Sequence, residues 1–329
     1  MIRKLSCSQS ILLFFSLAMM TLLLTGCGQS NSQATSGVGQ PKGTVRVSGA
    51  WALYPMMVRW AEEFNKTYPH VRIDISAGGA GKGAADALAG LTDIGMVSRE
   101  VKPEEIKQGG FHVAVVKDAV FPTISAKNPV AKEILERKGI RKEAFVDLWV
   151  LGKAATWSEV AGGAPSGDRA QVYTRSDSCG AAETWAAYLG GRNQEDLKGV
   201  GVYGDPGIAD AVRKDPLAIG FNNLNYAYDA KTGLPVKGLQ VPPIDTNGNG
   251  RVDPEEDLST KEKAIKAVTS GIYPSPPARD LNLIAKERFK EPAKTFVKWI
   301  LTNGQKYVDE VGYIRLSEPR IKEMLNKIE

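Results

Sequence analysis

Thr44-Val45-Arg46-Val47-Ser48-Gly49-Ala50 alternates apolar and polar side chains up to a glycine, the pattern of a half-buried strand that ends in a tight turn. Met57, Trp60, Ala61, Phe64 and Tyr68 then recur at helical spacing, so the strand feeds a helix through that turn. The unit recurs. Val71-Arg72-Ile73-Asp74-Ile75 predicts a second strand, followed by the glycine-rich turn Gly78-Gly79-Ala80-Gly81-Lys82-Gly83 and a helix over Ala84 to Ala89. Ile94-Gly95-Met96-Val97 predicts a third strand ending in Ser98-Arg99, and Pro103-Glu104-Glu105 opens another helix with proline and acids in its first turn. Farther along, Gln171-Val172-Tyr173-Thr174 runs into Arg175-Ser176-Asp177-Ser178-Cys179-Gly180 and a helix through Trp185, Tyr188 and Leu189. Strands alternating with helices predict an α/β fold with parallel sheets, whose ligand sites lie at the carboxyl ends of strands, where helices begin.

The rest of the composition narrows the class. The 329 residues are 43% hydrophobic and 24% charged, enough for two modest domains. The 34 glycines and 18 prolines follow no sustained period, which excludes collagen-like and low-complexity chains. A net charge of +5, spread along the chain, is too diffuse for a nucleic-acid surface. Three cysteines exclude a disulfide framework, and His70 and His112 are too few for a histidine-built metal site.

The first residues predict export. Arg3 and Lys4 precede an apolar run, Ile11 to Leu24, that is short for a membrane span and leads into Leu24-Thr25-Gly26-Cys27. Residues 1–26 are read as a signal peptide ending in a lipobox, and the likeness to bacterial lipoprotein signals implies cleavage before Cys27 and lipidation of its sulfur. Residues 27–43, rich in Ser, Gln, Gly and Thr, form a tether between lipid and folded body.

Ser48-Gly49-Ala50, Gly78-Gly79-Ala80-Gly81 and Asp93-Ile94-Gly95-Met96-Val97-Ser98-Arg99 together resemble the first lobe of the phosphate-binding protein family of ABC importers. Leu151-Gly152-Lys153, Thr156-Trp157-Ser158-Glu159-Val160, Arg175-Ser176-Asp177-Ser178-Cys179-Gly180, Ala218-Ile219-Gly220-Phe221, Tyr273-Pro274 and Asn303-Gly304-Gln305 continue the likeness in order across residues 44–317. The resemblance implies a two-lobed type II periplasmic-binding-protein fold with a ligand cleft between the lobes. It places the first crossing near Lys117 to Pro122 and the return near Phe221 to Asn225. Lobe 1 is then discontinuous, 44–120 plus 225–329, and lobe 2 is 121–224.

A buried oxyanion needs helix N-termini, hydroxyls and arginines, because an unpaired charge in a dry cleft is costly. By resemblance, the ligand-facing positions are Ala50, Trp51 and Ala52, then Gly79, Ala80, Gly81 and Lys82, then Ser98 and Arg99, and finally Arg175, Asp177, Cys179, Gly180 and Ala181. Hydroxyls usual in the family are replaced by Ala50, Ala52, Ala80, Cys179 and Ala181, so the resemblance implies weaker phosphate binding or a related, organic anion. Lys82 either supplies a compensating point charge or is a solvated lysine; Trp51 either walls the cleft or packs beneath the first helix. By the same resemblance Asp177 accepts a hydrogen bond from a protonated phosphate or holds Arg175; the alternative is a plain N-cap for the helix after it.

Catalytic signatures are weak. Gly81-Lys82-Gly83 lacks the upstream glycine and the Ser or Thr of a phosphate loop, no histidine adjoins Cys179 in sequence, and no Gly-x-Ser-x-Gly occurs. A separate motif, Asp245 to Glu256, matches a twelve-residue calcium loop, with Asp245, Asn247, Asn249, Asp253 and Glu256 as side-chain ligands and Arg251 as a carbonyl donor. The chain is therefore expected to be a monomeric solute-binding lipoprotein, not an enzyme. Its expected partners are phosphate or a related anion, ABC permease subunits and, through Cys27, membrane lipid, with calcium as a structural ion. The alternative is a sensor or scaffold that keeps the fold without the transport role.

Overall fold

The computed structural model describes residues 40–191 and 193–329. The signal peptide, Cys27 and residues 28–39 of the tether lie outside the described residues.

The expected strand–turn–helix units are present. Strand β1 (Gly43–Gly49) leads to helix α1 (Tyr54–Thr67), β2 (Val71–Ala77) to α2 (Ala80–Leu88), and β3 (Ile94–Val97) to a short helix over Pro103–Lys107. Helix α1 takes proline in its first turn and buries Met57, Trp60, Ala61 and Phe64, the face its periodicity predicts. Phe64 packs at a tilt against Phe296 and edge-on against Trp299, and the Trp60 indole donates to the Gly304 carbonyl at 2.9 Å, so the carboxyl-terminal segment covers the first helix. Burying one such aromatic contributes roughly 3 kcal/mol.

Eight strands form one path, completed by β4 (Gly110–Ser125), β5 (Gln171–Arg175), β6 (Val200–Val202), β7 (Ala218–Asn223) and β8 (Ala278–Lys286), in the order β2-β1-β3-β8-β4-β7-β5-β6. Pairings at both ends are parallel, and those around β8 and β4 are antiparallel. The sixteen-residue β4 serves both halves of the sheet.

Two main hydrophobic cores mark the lobes, and their boundary corrects the expectation. The first contains residues from Val45 to Val116 and from Leu281 to Ile328; the second contains residues from Ala119 to Ala278 and, from the carboxyl-terminal part, Ile314. Residues 225–278, including the 245–256 loop, belong with the second core through Ala227, Tyr228, Val241, Ile244, Leu258, Ala264 and Tyr273. The return crossing is therefore at Arg279–Asp280, which pair with Asp118 and Lys117 across the β8–β4 ribbon, and not at Phe221–Asn225. Charged residues occupy the crossing because it lies between the two cores. Lys117 also exchanges backbone hydrogen bonds with Ile314, a third strand of chain at the same place.

Candidate anion site at the lobe junction

The carboxyl ends of β1, β2, β3 and β5 bring four turns to the crossing. In the first, Ala50 and Ala52 are buried, and Trp51 sets its ring edge-on to Tyr203 at 6.2 Å. Gly204 passes so close to the Trp51 indole that a Cβ there would lie 3.3 Å from it. The Tyr226 hydroxyl donates to the Trp51 carbonyl at 3.2 Å. Trp51 thus contacts residues of the opposite lobe and does not pack solely beneath α1.

The second and fourth turns meet directly. Gly81 N–H donates to the Ser178 carbonyl at 3.2 Å, and Gly79, at φ 92°, lies under Ser178 with its virtual Cβ 2.4 Å from that oxygen. No side chain fits there, and the positive φ independently selects glycine. Lys82 folds back over Gly78 and pairs with Asp86, one turn along α2, with its side chain half exposed.

The third turn meets the helix after the fourth. A Cβ on Gly180 would lie 2.2 Å from the Ser98 carbonyl oxygen and 2.5 Å from its Oγ. Arg99 donates to both oxygens of Glu105, at 2.9 and 2.7 Å, and its Nε is 3.2 Å from Glu183 of helix α3 (Gly180–Tyr188). Lys102 reaches the same Glu183 at 2.9 Å. Burial opposes the charge on Arg99, but Glu105 and Glu183 outweigh it and hold the guanidinium above its ordinary pKa.

Arg175 is at the centre of the second lobe's contribution, with a side chain 0% exposed. Its Nε and one terminal nitrogen donate to Asp177 at 2.7 and 2.6 Å, and the other terminal nitrogen donates to Asp205 at 2.7 Å. Burial disfavours the charge, but Asp205 and Asp177 raise the guanidinium above its normal range. Asp177 is therefore seen holding Arg175, and it also caps Gly204 N–H at 3.0 Å. Asp205 in turn accepts from the backbone and side-chain nitrogens of Asn223 at 2.9 Å.

Cys179 is the N-cap of α3, its sulfur accepting from Ala182 N–H at 3.4 Å, with Ala181 buried beside it. The Gln194 side-chain amide clamps this turn, donating to the Asp177 carbonyl at 2.8 Å and accepting from Cys179 N–H at 2.9 Å. Burial pushes the Cys179 thiol up to about 12 despite the nearby Arg175. A thiol so protonated is no nucleophile at neutral pH. The native protein should resist an aromatic disulfide reagent at pH 8, with the thiol becoming reactive on denaturation; rapid modification of the folded protein would contradict this environment.

Sequence reasoning found Arg175 and Asp177 but missed Asp205, Asn223, Gln194, Arg279 and Asp118. Val202-Tyr203-Gly204-Asp205 is a further strand–turn–helix unit, leading into α4 (Gly204–Lys214), and that signal was present. The polar pair Asn222-Asn223 at the end of buried β7 was a second signal.

A family model described as a PBP superfamily domain matches residues 34–303, most of the chain. The chain belongs to the PBP superfamily. Over 97% of this superfamily member and 94% of the relative, it is 27% identical to the protein of Methanocaldococcus jannaschii named phosphate-binding protein PstS. The Bacillus subtilis protein of the same name is 28% identical over 70% of this chain and 76% of its own. A Clostridium perfringens substrate-binding protein crystallised with bound phosphate superposes with TM-score 0.67 at 23% identity, covering 84% of this chain and 100% of that one. An ABC-type phosphate transport receptor from Vibrio cholerae gives TM-score 0.59 at 17% identity, covering 83% and 100%. These likenesses show the shared two-lobed type II periplasmic-binding fold.

The 245–256 loop lies away from this junction, in the second core. Asp245 is buried and accepts from the N–H groups of Gly248, Asn249 and Gly250, with Arg141 at 3.3 Å. Asp253 accepts from the amides of Asn247 and Asn249, and Glu256 from Thr246 and the Asp253 N–H. Among the described residues, no three His, Cys, Asp or Glu side chains converge as a metal cluster. The hard oxygen donors suit calcium, while their present partners are the loop's own N–H groups, the Thr246 hydroxyl and, from outside the loop, Arg141.

Proposed function

We propose that this protein is the extracytoplasmic substrate-binding component of an ABC importer, and that it binds inorganic phosphate or a related oxyanion between its lobes. The observation that carries this reading is the convergence of helix-starting turns and buried guanidinium groups at the lobe crossing, Arg175 foremost. Full-length relatives named phosphate-binding protein support the ligand. The direct test is a thermal-shift panel of phosphate, arsenate, sulfate and small organic acids: phosphate should raise the melting temperature most. A panel in which an organic acid alone stabilises the protein would redirect the reading to that acid.

The pocket differs from a hydroxyl-lined one. Ala50, Ala52, Ala80, Cys179 and Ala181 offer no hydroxyl, and each lost hydrogen bond to a charged ligand weakens binding by about 1.5–3 kcal/mol. Phosphate affinity is therefore expected to fall below that of a hydroxyl-rich relative.

Two further assignments accompany this reading. Cys27 is the lipidation site, so Cys27→Ala should release the protein from the membrane fraction or block processing; retention with normal processing would contradict it. Among the described residues no helix is long and apolar enough to cross a membrane. The 245–256 loop takes calcium through Asp245, Asn247, Asn249, the Arg251 carbonyl, Asp253 and Glu256, with a Kd on the order of 10⁻⁴ to 10⁻³ M. Calcium at about ten times Kd should stabilise the fold by ~1.4 kcal/mol, an increment that Asp245→Ala abolishes. A melting curve indifferent to calcium would remove the ion from the account.

A further inference from the structure

Among the described residues Arg175, Arg99 and Arg279 bring guanidinium groups to the lobe junction, and their partners differ. Arg175 spends Nε and both terminal nitrogens on carboxylates at 2.6–2.7 Å. Arg99 is bidentate on Glu105 and faces Glu183. Arg279, on the crossing strand β8, is buried yet far less neutralised: its Nε donates to the Ser98 carbonyl at 3.0 Å, and one terminal nitrogen donates to the Asn223 side-chain oxygen. Among the described residues the other terminal nitrogen has no hydrogen-bond partner, and neither has the facing Asp118 Oδ2, 3.4 Å away. Two buried, oppositely charged atoms are thus left in contact without a hydrogen bond, an arrangement that costs each of them its solvation.

We propose that Arg279 is an anion-binding residue of the junction site and that Asp118 sets its affinity by competing with the anion for the unspent guanidinium N–H. This rests on the phosphate reading given above. Place supports it: the Ser98 carbonyl that Arg279 touches is the atom that Gly180 packs against, so the guanidinium adjoins the start of α3. Asn223, its other partner, also holds Asp205, which holds Arg175, so both arginines belong to one buried network. Asn282, three residues along β8, donates to the Arg99 carbonyl at 3.0 Å and ties the same strand to the third turn.

Charge balance agrees. Around Asp118 stand Arg279 of β8, Asp205 of α4, Lys261 of the helix Lys261–Ser270, Tyr313 of the carboxyl-terminal crossing and the Leu224 N–H at 3.3 Å. Burial pushes the Asp118 carboxyl up to about 6, incompletely offset by Arg279, and burial lowers the Arg279 pKa, incompletely offset by Asp118. Each is short of a partner. A tetrahedral oxyanion with several acceptor oxygens supplies what the single, misaligned carboxylate oxygen does not.

The test is calorimetric titration of inorganic phosphate into the wild type, Asp118→Asn, Arg279→Gln and the double variant at pH 7.5, with melting curves for each. Asp118→Asn should bind phosphate about 10-fold more tightly, since it removes one buried competing charge, and a folding defect does not produce a gain. Arg279→Gln leaves Asp118 buried and unpaired, so the double variant, which removes both charges, is the fair loss-of-charge arm; it should bind at least ~100-fold more weakly than the wild type. Wild-type binding that is unchanged or weakened in a native-melting Asp118→Asn, or retained in the double variant, overturns this inference alone. A folded wild type that binds no phosphate overturns the functional reading and the inference together.

Discussion

Arg175→Ala is expected to lower stability by about 3–5 kcal/mol, because it leaves Asp177 and Asp205 buried and facing each other without the guanidinium that all three of their short contacts share. Both carboxylates are at most 4% exposed, so solvent does not rescue them. For a domain of this size that is a melting-temperature loss on the order of 10 °C. Phosphate binding should disappear with it, measured at a temperature where the variant is folded, since Asp177 and Asp205 would then present bare negative charge to an anion. Arg175→Lys keeps a cation but not the fork that engages Asp177 bidentately, and should fall between the two. An alanine variant melting within a degree of the wild type would mean that the buried triad contributes little.

Gly180→Val should act on binding more than on stability. The new side chain would start 2.2 Å from the Ser98 carbonyl oxygen and 2.4 Å from its carbon, backbone atoms of the other lobe that have no rotamer to change. Within its own lobe Gly180 opens α3, where a side chain is tolerated, so each core keeps its packing. The lobes must stand apart, and the turns that converge on the anion separate with them. Phosphate affinity is expected to fall at least ~100-fold, with a larger radius of gyration by X-ray scattering, because positioning errors of an ångström in a preorganised site are costly. Undiminished affinity with an unchanged radius would show that the contact between Ser98 and Gly180 is not part of the bound form.

The turns were legible in the sequence for a physical reason. Period-two strands running into glycine leave few alternatives, and Gly79, Gly81 and Gly180 are where the opposing lobe comes closest. Lys82 was partly legible too: Asp86 four residues on is the pairing the structure shows. Arg279 carried no local signal, being an arginine on a strand, and its importance comes from Ser98, Asp118 and Asn223, far from it in sequence. The return crossing was misplaced because its position near Phe221 to Asn225 came from the family resemblance, and nothing in the residues after that buried strand marks which core they join. The chain instead re-enters the second core, where the Tyr228 hydroxyl donates to Leu258 and the Tyr273 hydroxyl to Val120. Which core a segment joins is decided by tertiary packing, and strand periodicity does not encode it.

The central claim is that an oxyanion binds between the two lobes at the buried guanidinium groups. Isothermal titration calorimetry of inorganic phosphate into the purified wild-type protein, in phosphate-free buffer, tests it most directly. The account predicts one saturable site per chain, lost in Arg175→Ala. A folded protein that gives no binding heat with phosphate at several temperatures, or that binds it equally well without Arg175, would contradict the account.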